Sequence, residues 1–279
     1  MKSFAPFTAL SFVASIYRQI ATVKSSLNMG GYNSNIGTNP ALPLQFFAFP
    51  NNTCPYAQRT HMTLIELGIP FDLQTVIKGE DWYRKINPLG KVPALRIPSS
   101  MDVIYESAIC NEYLCDVALL KSNLQSISFM PNDPMGKAKI RLLNHYCDAL
   151  GKAQFTYLMN KDDDKEESLA LGVNKALEVY ENALMSSGGP YFMGKDFTLA
   201  DVHVFPFLQR LIITLSHFKQ YQIPSTQFPL LLKWFDLCLE RESVKKSSMD
   251  KEKTIEVYNT FVNSNYDFGG LNANNNNKK

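Results

Sequence analysis

From Leu44 to Lys121 the hydrophobic pattern switches between strand and helix signals, whereas from Ser122 onward it keeps only the helical period. Two stretches of such different pattern call for a mixed α/β layer followed by a helical bundle. Residues 44–49, aromatic and flanked by prolines, read as a buried strand, and residues 50–53 as a loop. Pro55, preset for the first helical position, opens a helix that reaches Leu67 and stops at Gly68. Residues 71–77 read as a second strand, which closes a strand–helix–strand unit on the scale of about 30 residues or more. The polar residues 78–89, with Trp82 and Tyr83, end in Asn87-Pro88-Leu89-Gly90. Residues 94–97 and 103–105 read as a hairpin-like pair of short strands, and Glu106-Ser107 opens a further helix.

The order βαβαββα, parallel at its start and antiparallel at its end, predicts a thioredoxin-like N-terminal domain over residues 44–121. Residues 122–262 predict an all-helical C-terminal bundle. Residues 136–159 place Leu142, Leu143, Tyr146, Cys147 and Leu150 at helical spacing, and residues 168–185 form another helix. In Phe197-Thr198-Leu199-Ala200-Asp201-Val202 the Thr198 and Asp201 side chains form a capping box, with Phe197 and Val202 as its hydrophobic staple. The helix beyond, and residues 229–239, are apolar enough for the centre of a bundle. Residues 1–43 read as a flexible extension and the Asn-rich residues 263–279 as a disordered tail.

With 28 Lys and Arg against 26 Asp and Glu, and no basic block, nothing predicts a nucleic-acid partner. No apolar run approaches the roughly 20 residues of a membrane-spanning helix, so no stable span is expected. Five cysteines at irregular spacing (54, 110, 115, 147 and 238) fit neither a disulfide framework nor a zinc site, so no metal is expected. They suit a reducing compartment, the cytoplasm. Mitochondrial import is the alternative, because Lys2, Arg18 and Lys24 occur in an extension without acid; the first acidic residue is Glu66.

Cys54 stands between a strand and the helix begun by Pro55. Unpaired N–H groups at that helix end favour a thiolate, so an acidic, nucleophilic thiol is expected. In Cys54-Pro55-Tyr56-Ala57 the position of a second, resolving cysteine is taken by Ala57. A mixed disulfide on Cys54 therefore needs an external thiol, and glutathione is the candidate. The other four cysteines lie inside helical patterns and read as buried small hydrophobes. Val92-Pro93 precedes a strand; a cis proline there would leave the Val92 backbone free to pair with an extended ligand. Ser107 and the N–H groups near it can hold a ligand carboxylate, and Glu106 an ammonium.

Cys54-Pro55-Tyr56-Ala57-Gln58-Arg59, Asn87-Pro88-Leu89-Gly90-Lys91-Val92-Pro93-Ala94-Leu95, Tyr105-Glu106-Ser107 and Phe197-Thr198-Leu199-Ala200-Asp201 together resemble the glutathione transferases, with the cysteine motif pointing to the omega and lambda classes. The resemblance covers about residues 44–245. It implies glutathione as co-substrate, a mixed disulfide at Cys54, and a homodimer. It also implies glutathione contacts from Tyr56, Val92, Pro93, Glu106 and Ser107. The lysine that meets the glycyl carboxylate in omega members falls at Gly79, and the adjacent Lys78 takes its part. The implied activity is thiol transfer or dehydroascorbate reduction, with a small molecule or a protein disulfide as second substrate. His145 and Tyr146 are candidate liners of the second pocket. The other readings are a chloride-intracellular-channel-like membrane-inserting protein and a non-catalytic interaction module of the same fold.

Overall fold

The structure is a computed structural model, and it describes residues 43–121 and 129–264. The extension ahead of residue 43 and nearly all of the Asn-rich tail lie outside the described residues. The first half contains β1 (Leu44–Ala48), α1 (Pro55–Glu66), β2 (Phe71–Thr75), α2 (Asp81–Arg84), β3 (Ala94–Arg96), β4 (Val103–Tyr105) and α3 (Ser107–Lys121). The four strands form one sheet in the order β2-β1-β3-β4. β1 runs parallel to β2, with Phe46 opposite Leu73, and antiparallel to β3, with Phe46 opposite Leu95. β3 and β4 are antiparallel. This is the expected thioredoxin-like arrangement, and central β1 carries Phe46, Phe47 and Ala48 fully into the core.

Beyond the sheet the described chain is helical: α4 (Pro134–Leu158), α5 (Glu166–Ser187), α6 (Leu199–Lys219), α7 (Pro229–Leu239), α8 (Glu242–Ser247) and α9 (Lys251–Val262). Helix α8 is only six residues long with Val244 as its one large apolar residue, whereas α9 places Ile255, Val257, Tyr258, Phe261 and Val262 over 12 residues. Asp133 caps α4 by accepting from the Gly136 amide at 2.7 Å, and Pro134 occupies its first turn. The capping box at α6 is formed: the Thr198 amide donates to Asp201 Oδ2 at 2.8 Å, and the Ala200 amide donates to Thr198 Oγ1.

Two apolar cores result. One joins Phe46, Phe47 and Leu95 of the sheet to Leu64 of α1 and Leu114 of α3. The other gathers Ile140, Leu150, Leu177, Tyr180, Phe205, Leu208 and Trp234 of the bundle, and Met62 of α1 and Cys115 of α3 reach into it. Helix α1 thus packs on both sides, which fixes its N-terminus, and Cys54 with it, at the seam between sheet and bundle. One helix bears on the expectation of no stable span. The 21-residue α6 is long and apolar enough, by length and composition, to cross a membrane. Most of it is buried within the bundle, which accounts for its apolar character on nearly every face.

Candidate active site

Cys54 is the N-cap residue of α1, with extended backbone and Pro55 immediately after it. The turn before it is unusual: Asn51 and Asn52 both have left-handed backbones, at φ 54° and 52°. Asparagine tolerates that region better than most residues. Two groups hold the turn. The Asn52 side chain bonds His61 Nδ1 at 3.2 Å, and the Asn52 carbonyl accepts from Arg210 Nη2 at 2.7 Å. Burial against Phe46 and Phe71 pushes the His61 imidazole down to about 4, so it stays neutral at physiological pH.

Cys54, a half-buried residue, lines a cavity of about 440 Å³. Tyr56 and Lys78 line it as well, so three of the sequence-predicted site residues converge there. Val92 joins them from the neighbouring backbone, its carbonyl accepting from the Cys54 thiol at 3.6 Å. The Val92-Pro93 bond is cis. Glu106 and Ser107 lie outside the cavity wall. Ser107 is tied towards it through one buried arginine: Arg59 Nη1 donates to Ser107 Oγ at 3.4 Å, while its Nε donates to the His203 carbonyl at 2.9 Å. The Arg59 guanidinium stacks over the rings of Phe207, at 4.4 Å, and Tyr56, at 5.2 Å. Glu106 is exposed and has a left-handed backbone, φ 69°. A backbone of that kind in a non-glycine residue is costly and persists only where its surroundings hold it.

The electrostatics correct one expectation. Burial raises the Cys54 thiol above its ordinary value, and this outweighs the amides of Ala57 and Tyr56 and the cations Arg210 and Arg59, all of which pull it down. The helix end acts as anticipated. A local sequence argument does not register this burial, which arises at a seam where Phe49, Pro55, Tyr56 and Phe207 line the same cavity as Cys54. The Tyr56 hydroxyl, also desolvated and 3.5 Å from Asp148 Oδ1, is pushed up to about 12 and stays protonated. The other four cysteines are buried, as expected. Among the described residues no group of three or more His, Cys, Asp or Glu is arranged to hold a metal.

The second wall of the cavity carries no local sequence signal. It consists of Gly151, Gln154 and Phe155 on α4, Phe207 and Arg210 on α6, and Val257, Tyr258 and Phe261 on α9. His145 and Tyr146 do not line it. Tyr146 faces a separate groove with Leu142 and Val179, because it lies on another face of α4 from Gly151 and Phe155. Arg210 is the exception with a signal: it is the only Lys or Arg in the apolar run from Leu199 to Thr214, and a lone cation there needs a reason.

Comparison with known proteins agrees with this architecture. The sequence model of the glutathione S-transferase N-terminal domain matches residues 53–117, and that of the C-terminal domain matches residues 146–242. A probable glutathione transferase omega-2 from Caenorhabditis briggsae is 29% identical, over 77% of this chain and 86% of the relative. The Arabidopsis thaliana glutathione S-transferase DHAR2 is 25% identical, over 76% of this chain and 91% of the relative. The crystal structure of glutathione transferase Omega 3C from Trametes versicolor superposes with a TM-score of 0.67 at 26% identity, covering 79% of this chain and 91% of that one. With both domains matched in order and the sheet, cis proline and capping box in place, the chain belongs to the glutathione S-transferase family, as an omega-like member.

Proposed function

We propose that this glutathione transferase catalyses glutathione-dependent thiol exchange, with Cys54 as its single nucleophile. The observation that carries the reading is the position of the Cys54 sulfur at the start of α1, open to a cavity and without a neighbouring thiol in its motif. The Cys54 thiolate attacks the glutathionyl sulfur of a mixed disulfide, and the partner thiolate leaves and takes up a proton. A second glutathione thiolate then attacks Cys54–S–SG, giving glutathione disulfide and freeing Cys54. With dehydroascorbate as acceptor, the two electrons and two protons come from two glutathione molecules. The relatives named for dehydroascorbate reduction and the omega class support this choice of chemistry.

In this reading glutathione extends along Val92 and Pro93, pairing its cysteinyl backbone with Val92. Ser107 takes the γ-glutamyl carboxylate, Glu106 its ammonium, Lys78 the glycyl carboxylate, and Tyr56 flanks the sulfur. The solved neighbours with bound glutathione support the ligand class. Exposed Ile109 and Leu120 on α3, with Met135 and Leu142 on α4, support a homodimer with these helices at the contact. The test is intact-mass analysis after exposure to oxidised glutathione. A single glutathionyl adduct, located on Cys54, is expected from disulfide exchange. Cys54→Ser should lose both the adduct and turnover while keeping its fold; undiminished turnover in that variant refutes the assignment.

A further inference from the structure

We infer that Arg210 serves Cys54 as a positioning residue and counter-ion: a guanidinium from the helical bundle that fixes the turn carrying the sulfur and balances the charge of the thiolate. This rests on Cys54 being the nucleophile, as proposed above.

Three observations lead there. Arg210 is 2% exposed, yet among the described residues no carboxylate comes within ion-pair distance of it. Its partners are neutral acceptors: the Pro206 carbonyl at 2.9 Å, the Asn52 carbonyl at 2.7 Å and Gln58 Oε1. Its Nε has no partner among the described residues. A buried, unpaired cation is costly, because its hydration is lost without a compensating charge. Second, Arg210 lines the same cavity as Cys54. Third, its bonds go to the two sides of the sulfur. Asn52 lies two residues before Cys54, in the left-handed turn, and Gln58 lies one turn into α1. Gln58 is held in turn by Gln209 and Ser248, so the bundle grips the start of α1 through a connected polar network.

These facts fit one another if the missing counter-ion is generated during the reaction. When Cys54 loses its proton to solvent, the thiolate forms in the cavity that Arg210 lines. The other ionisable groups around that cavity are Tyr56 on α1, Lys78 after β2 and Tyr258 on α9, with Arg59 behind the Tyr56 ring. Arg210 favours the ionisation of Cys54 more strongly than Arg59 does. Burial disfavours the charged guanidinium, and against it act Tyr258 and then the Cys54 sulfur. Burial raises the thiol, and among the described residues Arg210 is the largest side-chain offset to that rise.

The test compares wild type with Arg210→Met and Arg210→Lys. The pH midpoint of Cys54 alkylation by iodoacetamide is followed by intact mass, on protein judged folded by circular dichroism. Removing the charge should raise the midpoint by roughly one pH unit, about tenfold less thiolate at fixed pH. Arg210→Lys should recover most of that change, because the charge remains. A merely structural role would move the melting temperature and leave the midpoint where it was. If Arg210→Met does not fold, Arg210→Gln keeps a donor for Asn52 without the charge and carries the same comparison. An unchanged midpoint in a folded neutral variant overturns the inference, as does a lysine variant displaced as far as the neutral one. If wild type forms no glutathione adduct at Cys54, the nucleophile assignment fails instead, so the two failures are read separately.

Discussion

The Cys54 thiol donates to the Val92 carbonyl across 3.6 Å, joining the nucleophile of α1 to the residue before the cis proline. Burial favours the neutral thiol, and a carbonyl that accepts from S–H acts in the same direction. In the unliganded protein the thiolate fraction therefore keeps growing through the alkaline range. Alkylation of Cys54 by iodoacetamide should climb about tenfold per pH unit between roughly pH 7 and pH 9, without a plateau. A plateau already present at pH 7 would mean that the helix end and the arginines dominate after all.

That relationship bears on what can be read from sequence. The cysteine motif, Val92-Pro93 and the Thr198–Asp201 capping box are legible because each depends on a few consecutive residues. The strand and helix order is legible for the same reason. The direction of the Cys54 shift is not, since its burial comes from the packing of α1 between sheet and bundle, where the cavity walls include Phe207, far along the chain. The roles of Arg59 and Arg210 are hidden likewise, because they come from α1 packing against α6. The left-handed Asn51, Asn52 and Glu106 carry no unambiguous sequence signal, because asparagine and glutamate mostly adopt ordinary backbones.

Arg241 holds Glu66 with both Nε and Nη2, at 2.8 and 2.6 Å, and Ser243 donates to the same carboxylate. The pair ties the end of α1 to the segment between α7 and α8, and the guanidinium lies 3.9 Å above the Phe197 ring. Glu66 is only 14% exposed, so Arg241→Ala leaves a largely buried carboxylate unpaired. The expected cost is about 2 kcal/mol in urea unfolding, part of the full buried-pair penalty because Arg241 keeps some solvent contact. Glu66→Gln added to Arg241→Ala should recover part of it. Additive losses in the double variant would show that the pair is not coupled.

Asp201 accepts from the amides of Thr198 and Phe192 and from Trp234 Nε1, yet burial holds its carboxyl up to about 6. An unfolded chain exposes this carboxyl to water and ionises it near its ordinary, lower value. The folded protein therefore retains the proton where the unfolded chain has lost it. Stability from this group is complete below the unfolded value and falls as pH rises through about 6. Asp201→Asn removes that dependence. Wild type should thus lose about 2 kcal/mol relative to Asp201→Asn between pH 4 and pH 7, since each pH unit over which only the folded state keeps the proton costs about 1.4 kcal/mol. A wild type that gains on the variant over that range would show the carboxylate to be stabilised by its donors.

Phe155, Tyr258 and Phe261 form an aromatic wall on the bundle side of the Cys54 cavity, with ring centroids 5.5 to 6.2 Å apart. Two of the three come from α9, which packs on α6 rather than on the sheet. On the proposed assignment the glutathione contacts all belong to the sheet domain, which would leave this wall to the second substrate. Phe261 is half-buried at the end of α9, where its ring meets those of Phe155 and Tyr258. Phe261→Ala should raise KM for an aromatic disulfide acceptor about tenfold, the worth of roughly 1.4 kcal/mol of lost apolar contact. KM for glutathione, and turnover with a small hydrophilic acceptor such as hydroxyethyl disulfide, should stay as in wild type. Equal losses with both acceptors would mean that α9 supports Cys54 itself, and the wall would then have no part in choosing the acceptor.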